Sequence, residues 1–99
     1  MKKIFISQPM KGKTNDEILA TREKAIETVI NMFEEDVNVI DSFFYNTPHD
    51  AKPLWLLGRA LELLSTADVA YFAKGWEQYR GCKIEHTCAT EYGIDIIEE

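Results

Sequence analysis

The segment that decides the fold is residues 68–93, DVAYFAKGWEQYRGCKIEHTCATEYG. Its opening apolar run, Val69–Phe72, predicts a buried β-strand. A loop that contains Gly75 and Gly81 follows, and a helical pattern covers roughly residues 82–92. In open α/β sheets, ligands bind where such a strand ends and its helix begins. We therefore expect this strand, loop and helix to build most of any active site.

Glu85 is the candidate catalytic residue of this segment. It lies about one turn inside the predicted helix, whose free N–H groups and partial positive charge favour an ionised carboxylate. An ionised carboxylate can attack or stabilise an electron-poor carbon. A glutamate that merely complements the helix dipole is the alternative, and spacing alone favours that alternative.

Three further apolar runs predict strands elsewhere in the chain, at residues 3–6, 37–40 and 94–97. With Val69–Phe72 they give the order β-α-β-α-β-α-β, and right-handed crossovers then produce a parallel sheet with helices on both faces. The sequence therefore predicts one domain, residues 1–99, of the α/β class. The expected architecture is a flavodoxin- or Rossmann-like three-layer fold with four parallel strands in the order 2-1-3-4.

Helical spacing predicts which faces of the first two helices are buried. Thr14 and Glu17 form a capping box that begins the first helix, which ends near Phe33. Asp50 as N-cap and Pro53 in the first turn begin the second helix. The predicted core positions are Ile18, Ala25, Val29 and Met32 on the first helix, with Ile26, Ile30 and Phe33 widening the stripe, and Leu54, Leu57, Leu61 and Leu64 on the second.

Composition and charge narrow the class of partner. The formal net charge of −6 argues against binding to a nucleic acid polymer or an anionic membrane. We identify no signal peptide and no apolar run that could span a bilayer. Cys82 and Cys88, six residues apart on one helix, cannot easily form a disulfide, which fits a cytoplasmic protein. A chain of 99 residues has little room for a deep pocket, so we expect a homo-oligomer, dimer or higher, that binds a small molecule.

The predicted sheet order places a ligand crevice between the first and third strands, beside residues 7–9 and 73–75. Lys11, Gly12 and Lys13 follow the first strand, and with the amides that begin the first helix they can hold a phosphate. A solvated basic turn is the more common meaning of such a tripeptide. The predicted substrate-binding residues are Ser7, Gln8, Pro9, Met10, Lys11, Lys13, Arg22, Asp41, Trp76, Arg80 and Gly81.

Several side chains have a second interpretation. Arg22 lies on the inner stripe of the first helix, where it reaches either a ligand or the helix edge. Trp76 can stack on a nucleobase or pack against aromatic side chains of its own loop. The aromatic residues 43–45 suit a pocket wall, a subunit contact or the core. Cys82 and His86 share a helix face, but no further pair completes a tetrahedral set, so neither a metal nor a cofactor is expected.

As a set, these residues resemble the nucleoside 2-deoxyribosyltransferase-like family. Residues 4–10, IFISQPM, are similar to the first strand of that family and to its Gly/Ser-Pro-type loop. The resemblance covers essentially the whole chain and is greatest to a short, often phage-encoded branch. In the second half of the chain, the resemblance rests on Ala67, Asp68, Gly81, Glu85, Ala89 and Gly93.

The resemblance implies a flavodoxin-like fold, an oligomer with sites near subunit contacts, and N-glycosidic chemistry on deoxynucleosides or their monophosphates. Glu85 matches the nucleophile, which would attack the anomeric carbon, release the base and form a glycosyl-enzyme ester. An acceptor base or water would then resolve the ester with net retention. Ser7, Lys11 and Lys13 would approach the sugar or phosphate, and Trp76 would cover the base.

The chain also departs from the pattern of that family. Ala60 stands near the position of a carboxylate that manages the proton on the leaving base, and Glu62 is the nearest acid. Tyr79 and Arg80 replace an acidic residue that often grips the sugar. General acid catalysis is typically worth about 10²–10⁴-fold, so turnover should be slow.

Three functions remain open on the sequence. The first is a nucleoside or nucleotide N-glycosidic-bond enzyme, either a deoxyribosyltransferase or an N-glycosidase. The second is a non-catalytic protein of phage or bacterial origin that sequesters a nucleotide-derived ligand. The third is an oligomeric scaffold, for which the aromatic candidates are Phe43, Phe44 and Trp55.

Overall fold

The computed structural model describes residues 1–9, 11–40 and 50–99. The predicted substrate contacts Met10 and Asp41 lie outside the described residues, as do the aromatic residues 43–45.

The structure is a four-stranded parallel sheet in the order β2-β1-β3-β4, which confirms the predicted 2-1-3-4 topology. Each strand alternates along the chain with a helix, as the sequence pattern indicates. The elements are β1 (Lys2–Ser7), α1 (Asn15–Phe33), β2 (Val37–Val39), α2 (Pro53–Leu64), β3 (Val69–Phe72), a short 3₁₀ helix (Trp76–Gln78), α3 (Arg80–Glu91) and β4 (Asp95–Glu98).

The two central strands end side by side. β3 is buried along its whole length, as expected for a strand covered on both faces. In the register of β1 with β3, Ile4 lies opposite Val69 and Ser7 lies opposite Phe72. The carboxyl ends of β1 and β3 therefore meet at one edge of the sheet, where the loops to α1 and α3 begin.

Alternation along the strands creates two separate cores. On one face, Ile4, Ile6 and Tyr71 pack with Ala25 and Val29 of α1. On the other face, the strand residues pack against α2 and α3. That second core consists of Phe5, Ala70 and Phe72 from the sheet, Ala60 and Leu64 from α2, and Ala89 from α3. The fold is thus a three-layer α/β structure with α1 on one side and α2 and α3 on the other.

The capping box at the start of α1 is confirmed. The Thr14 hydroxyl accepts a hydrogen bond from the Glu17 amide, and the Glu17 carboxylate accepts one from the Thr14 amide. The predicted burial of Met32 is wrong, because its side chain is 59% exposed. Phe33, four residues after Val29, packs against the core as predicted, so the buried stripe continues through Phe33 and not through Met32.

Two details of α2 also differ from the prediction. Its N-cap is Lys52, which makes no capping side-chain hydrogen bond, rather than Asp50. Pro53 occupies the first turn, as expected. Leu54 is 77% exposed, whereas Leu64 is 2% exposed, so α2 becomes more deeply buried towards its carboxyl end. The predicted core position at Leu54 is therefore wrong.

α3 begins at Arg80, earlier than the sequence pattern indicates. Arg80 and Gly81, expected in the loop, are the first residues of the helix. No helix within residues 1–9, 11–40 and 50–99 is long and apolar enough to cross a membrane.

Candidate active site

The centre of the site is a hydrogen bond between β1 and α3. Ser7, the last residue of β1, donates from Oγ to Oε1 of Glu85 at 2.6 Å. Both residues are buried, with 2% of Ser7 and 8% of Glu85 exposed. The structure therefore brings together two of the residues that the sequence predicts for the site, although they are 78 positions apart.

The position of Glu85 follows from the pattern of α3. The buried residues of this helix are Cys82, Glu85 and Ala89, which recur at the spacing of one helix face. Ala89 packs into the core beneath Phe72, so the same face carries Glu85 towards the end of β1. An acidic residue thus occupies a position that in an ordinary packed helix would be apolar.

Burial governs the electrostatics of Glu85. Desolvation raises the pKa of its carboxyl above the usual value, and the hydrogen bond from Ser7 opposes this rise without cancelling it. The direction is opposite to the one expected from the helix N-terminus, because burial of the carboxyl dominates. Glu85 also lies beyond the first turn of α3, which begins at Arg80. A buried carboxyl with a raised pKa beside a hydroxyl is a typical candidate for chemistry.

Cys82 is part of the same buried group. Desolvation raises the pKa of its thiol, and the charge of Glu85 acts in the same direction, whereas a hydrogen bond with Ser7 lowers it. The thiol is a free cysteine and, because its pKa is raised, it stays protonated. Cys82 therefore contributes a neutral, weakly polar wall to the Ser7–Glu85 site.

A cleft of about 480 Å³ lies on the α1 side of the same sheet edge. It is bordered by the carboxyl ends of β1 and β3, the first turns of α1, and Glu99. Three predicted contacts, Gln8, Pro9 and Lys13, line it, together with Ile18, Lys74 and Glu99. The predicted substrate contacts are therefore divided between this cleft and the Ser7–Glu85 pair, which faces α3.

Gln8 is the most unusual polar residue of the cleft. Only 7% of it is exposed, and neither its amide nitrogen nor its amide oxygen has a hydrogen-bond partner among the described residues. Leaving a buried polar group unsatisfied typically costs about 1–3 kcal/mol. Such a group in a native fold calls for an explanation, and a ligand that supplies the hydrogen bonds is one.

A polar network closes the cleft on the β4 side. The Glu99 side chain accepts hydrogen bonds from Lys24 Nζ at 2.5 Å, Tyr71 Oη at 2.9 Å and the Lys74 amide at 3.3 Å. Burial raises the pKa of Glu99, but these donors outweigh burial and hold it below the usual value. Burial and the contact with Glu99 raise the pKa of Tyr71 to about 12. Sequence reasoning missed this network, because its members are brought together only by the tertiary fold.

Trp76 packs against aromatic neighbours. Its ring stacks on His86 with centroids 4.1 Å apart and planes 10° from parallel, and it lies 5.5 Å from Phe72. His86 Nε2 lies 2.5 Å from a carboxylate oxygen of Glu98. One face of the Trp76 ring therefore packs against neighbouring aromatic side chains, which is the second of the two interpretations.

Other predicted residues lie apart from both groups. Lys11 is exposed in a turn with Gly12, whose φ of 80° suits glycine. Arg22 is half-buried on α1 and is not among the residues that line the cleft. Arg80 is exposed and Gly81 half-buried at the start of α3. These residues stay predictions as substrate contacts.

The described residues contain no group of three or more His, Cys, Asp or Glu side chains that could hold a metal ion. The two residues of the candidate pair, Cys82 and His86, have different neighbours. Cys82 lies beside Ser7 and Glu85. His86 lies beside Trp76 and Glu98.

Comparison with known proteins gives no relative of this chain: no family model, no curated protein and no solved structure matches it.

Proposed function

We propose that the protein acts on the N-glycosidic bond of a nucleoside or nucleotide, as a deoxyribosyltransferase or N-glycosidase, with Glu85 as the nucleophile. The observation that carries the proposal is the buried Ser7–Glu85 hydrogen bond at the carboxyl edge of the parallel sheet. This edge is where open α/β sheets bind their ligands. The resemblance of residues 4–10 and 81–93 to nucleoside 2-deoxyribosyltransferase-like proteins supplies the reaction type.

In the proposed reaction, one Glu85 carboxylate oxygen attacks the anomeric carbon of the sugar. The bond between that carbon and the base nitrogen breaks, and the base leaves with the electron pair. A second base or a water molecule then displaces Glu85 from the ester, and two inversions give net retention. The Ser7 hydroxyl orients the carboxylate for this attack, because it donates a hydrogen bond to Oε1 of Glu85.

The raised pKa of Glu85 has a consequence for rate. Only the ionised carboxylate is a nucleophile, so activity should increase as the pH rises through the raised pKa of Glu85. The departing base also needs a proton. Ala60 is buried in the core and Glu62 pairs with Arg59 at 2.7 Å on the surface, so neither provides one. Solvent would supply the proton, and slow turnover is expected.

The test is base release measured by liquid chromatography from a mixture of deoxynucleosides and their monophosphates. Wild type should release free base, or exchange it when a second base is present. Glu85→Gln should lose at least about 10³-fold of this activity. Glu62→Gln is the matched control, since it changes an exposed glutamate, and it should retain the wild-type rate. Unchanged base release in Glu85→Gln would overturn the proposal.

A second candidate function is non-catalytic binding of a nucleotide-derived ligand. It is favoured by the cleft beside Gln8, where Lys13 and Lys74 offer positive charge. Mass spectrometry of ligand released from washed and denatured protein discriminates between the two functions. An intact nucleotide on the protein, with no free base in solution, supports the binding function.

We also propose that the protein is a cytoplasmic homo-oligomer. Support comes from the start of α2, where Leu54 is 77% and Trp55 is 41% exposed. Sedimentation velocity of the wild type should give a dimer or larger assembly, and Leu54→Lys should shift it towards the monomer. A monomeric wild type would contradict this part of the proposal, and would also remove the oligomeric scaffold as a function.

A further inference from the structure

We propose that the cleft beside Gln8 is a binding site for a small anion that carries an amide-type edge, meaning a carbonyl oxygen adjacent to an N–H group. Carboxamides, lactams and cyclic imides have such an edge. The inference goes beyond the proposed function, because it assigns a chemical preference to a cleft that faces α1, and it holds whether or not Glu85 is catalytic.

The amide requirement comes from Gln8. Its side chain presents one acceptor and two N–H donors at neighbouring positions. Both its polar atoms are buried without a partner among the described residues and have almost no accessible surface, so the amide must turn towards the cleft that the residue lines in order to meet a ligand. An amide-type ligand edge offers a donor to the oxygen and an acceptor to the nitrogen at the same time. A lone hydroxyl or a lone carboxylate is a poorer match for this pair.

The preference for an anion comes from how the charged groups of the cleft are engaged. The Glu17 carboxylate accepts hydrogen bonds from Thr14, and the Glu99 carboxylate accepts them from Lys24, Tyr71 and the Lys74 backbone. In the described part of the chain, neither the Lys13 nor the Lys74 ammonium forms an ion pair. Lys24 offsets the charge of Glu99, whereas Glu17 accepts only neutral donors and keeps its charge. The two ammonium groups outnumber this one carboxylate, so the lining of the cleft favours an anion.

The dimensions suit a small ring-bearing ligand. A volume of about 480 Å³ falls within the usual range of small-molecule sites. Pro9, Ile18 and Ala73 supply apolar walls against which a planar ring can lie. The other lining residues are polar or charged, so the cleft suits a polar ring rather than an apolar one.

The experiment uses the intact chain and three probes in isothermal titration calorimetry. Orotate has both a carboxylate and a cyclic imide, benzoate has the carboxylate alone, and uracil has the imide alone. None of them contains a glycosidic bond, so binding is measured separately from the reaction proposed for Glu85. Orotate should bind at least about tenfold more tightly than either partial probe, since each removes one set of contacts. Equal affinity for orotate and benzoate would overturn the amide requirement.

Variants locate the binding. Gln8→Leu and Lys13→Ala should each weaken orotate binding at least about tenfold. Lys83→Ala is the matched control, because Lys83 is exposed on α3 and does not line the cleft, and it should bind as wild type does. Glu85→Gln should also leave the affinity unchanged. Loss of orotate binding in Glu85→Gln would overturn the assignment to the cleft.

The Tm of the ligand-free protein distinguishes a ligand-binding role of Gln8 from a structural role. Removing an unsatisfied buried amide should stabilise the fold, so Gln8→Leu should raise Tm by roughly 4 °C or more in the absence of ligand. A lower Tm in Gln8→Leu would mean that the amide is satisfied and structural, and this result would overturn the proposal.

Discussion

The two sides of the carboxyl edge of the sheet satisfy their polar groups in different ways. On the α3 side, the Glu85 carboxylate is buried and accepts a hydrogen bond from Ser7. On the α1 side, the Gln8 amide is buried but unsatisfied by the described residues, and residue Gln8 lines a cleft. Ser7 and Gln8 are consecutive residues. The Ser7 hydroxyl is hydrogen-bonded within the fold, whereas the Gln8 amide has no partner among the described residues.

The difference teaches that the end of a central strand can serve two sites. Side chains of β1 alternate between the faces, so Ile4 and Ile6 pack under α1 and Phe5 packs towards α2 and α3. Ser7 continues this alternation and reaches α3. A sequence pattern that places both Ser7 and Gln8 at one crevice therefore overlooks the face that each residue occupies.

Phe72→Ala should have the largest effect on stability. Phe72 is 0% exposed and contacts Trp76 and His86 on the α3 side. Its truncation should lower the free energy of unfolding by about 3–5 kcal/mol, measured by urea denaturation. If the two sides are separate, orotate affinity of the folded fraction should stay near that of wild type. A proportional loss of affinity would indicate that the cleft depends on the α3-side core.

Ser7→Ala should have the next largest effect. The substitution leaves a buried carboxylate without its described donor, and this should cost about 1–3 kcal/mol at neutral pH. It should also raise the pKa of Glu85 further, because the Ser7 hydrogen bond is the interaction that lowers it. Urea denaturation at several pH values measures both effects. Ser65→Ala is a control, since it makes the same change at an exposed serine away from Glu85. A Ser7→Ala protein as stable as wild type at neutral pH would contradict the hydrogen bond.

Glu85→Gln should change stability in the opposite direction. The folded-state pKa of Glu85 lies above its ordinary value of 4.5, so the ionised form is disfavoured in the fold. The resulting loss of stability is absent below the unfolded pKa and grows as the pH rises through the folded pKa. Glu85→Gln should therefore be more stable than wild type at neutral pH, with the difference vanishing under acidic conditions. A variant that is less stable at neutral pH would show that the charge of Glu85 stabilises the fold.

Tyr71→Phe should have the smallest effect, and it acts on the cleft side. The substitution removes the hydrogen bond to Glu99 but keeps the ring in the core, so we expect a loss below about 1.5 kcal/mol. In wild type, a spectroscopic titration should show one tyrosine that ionises at about pH 12 and is missing from the variant. If the tyrosine with the raised pKa were still present in Tyr71→Phe, it would be a tyrosine other than Tyr71.

The fold could be predicted from local patterns whose physical cause lies within a few residues. The capping box of Thr14 and Glu17 begins α1, and the apolar run Val69–Phe72 forms β3. The order of strands follows from the alternation of strand and helix together with right-handed crossovers. Exposure at helix ends was harder to predict, because Leu54 and Met32 keep the helical period and are nevertheless exposed, whereas Phe33 beside Met32 packs against the core.

The candidate site was predictable in part. The rule that ligands bind at strand ends selects Ser7, and the spacing of α3 selects Glu85, so their contact follows once the sheet order is known. The unsatisfied amide of Gln8 and the donors around Glu99 were not predictable, since each depends on side chains that are distant in sequence. The raised pKa of Glu85 likewise depends on how completely β1 and α3 exclude water.

The measurement that tests the central claim most directly is mass spectrometry of the acid-quenched protein during reaction with deoxynucleosides. If Glu85 is the nucleophile, a fraction of the chain should gain the mass of one deoxyribosyl group, and peptide mapping should locate it on Glu85. Glu85→Gln should show neither the adduct nor free base. Base release that continues in Glu85→Gln without any adduct would contradict the account.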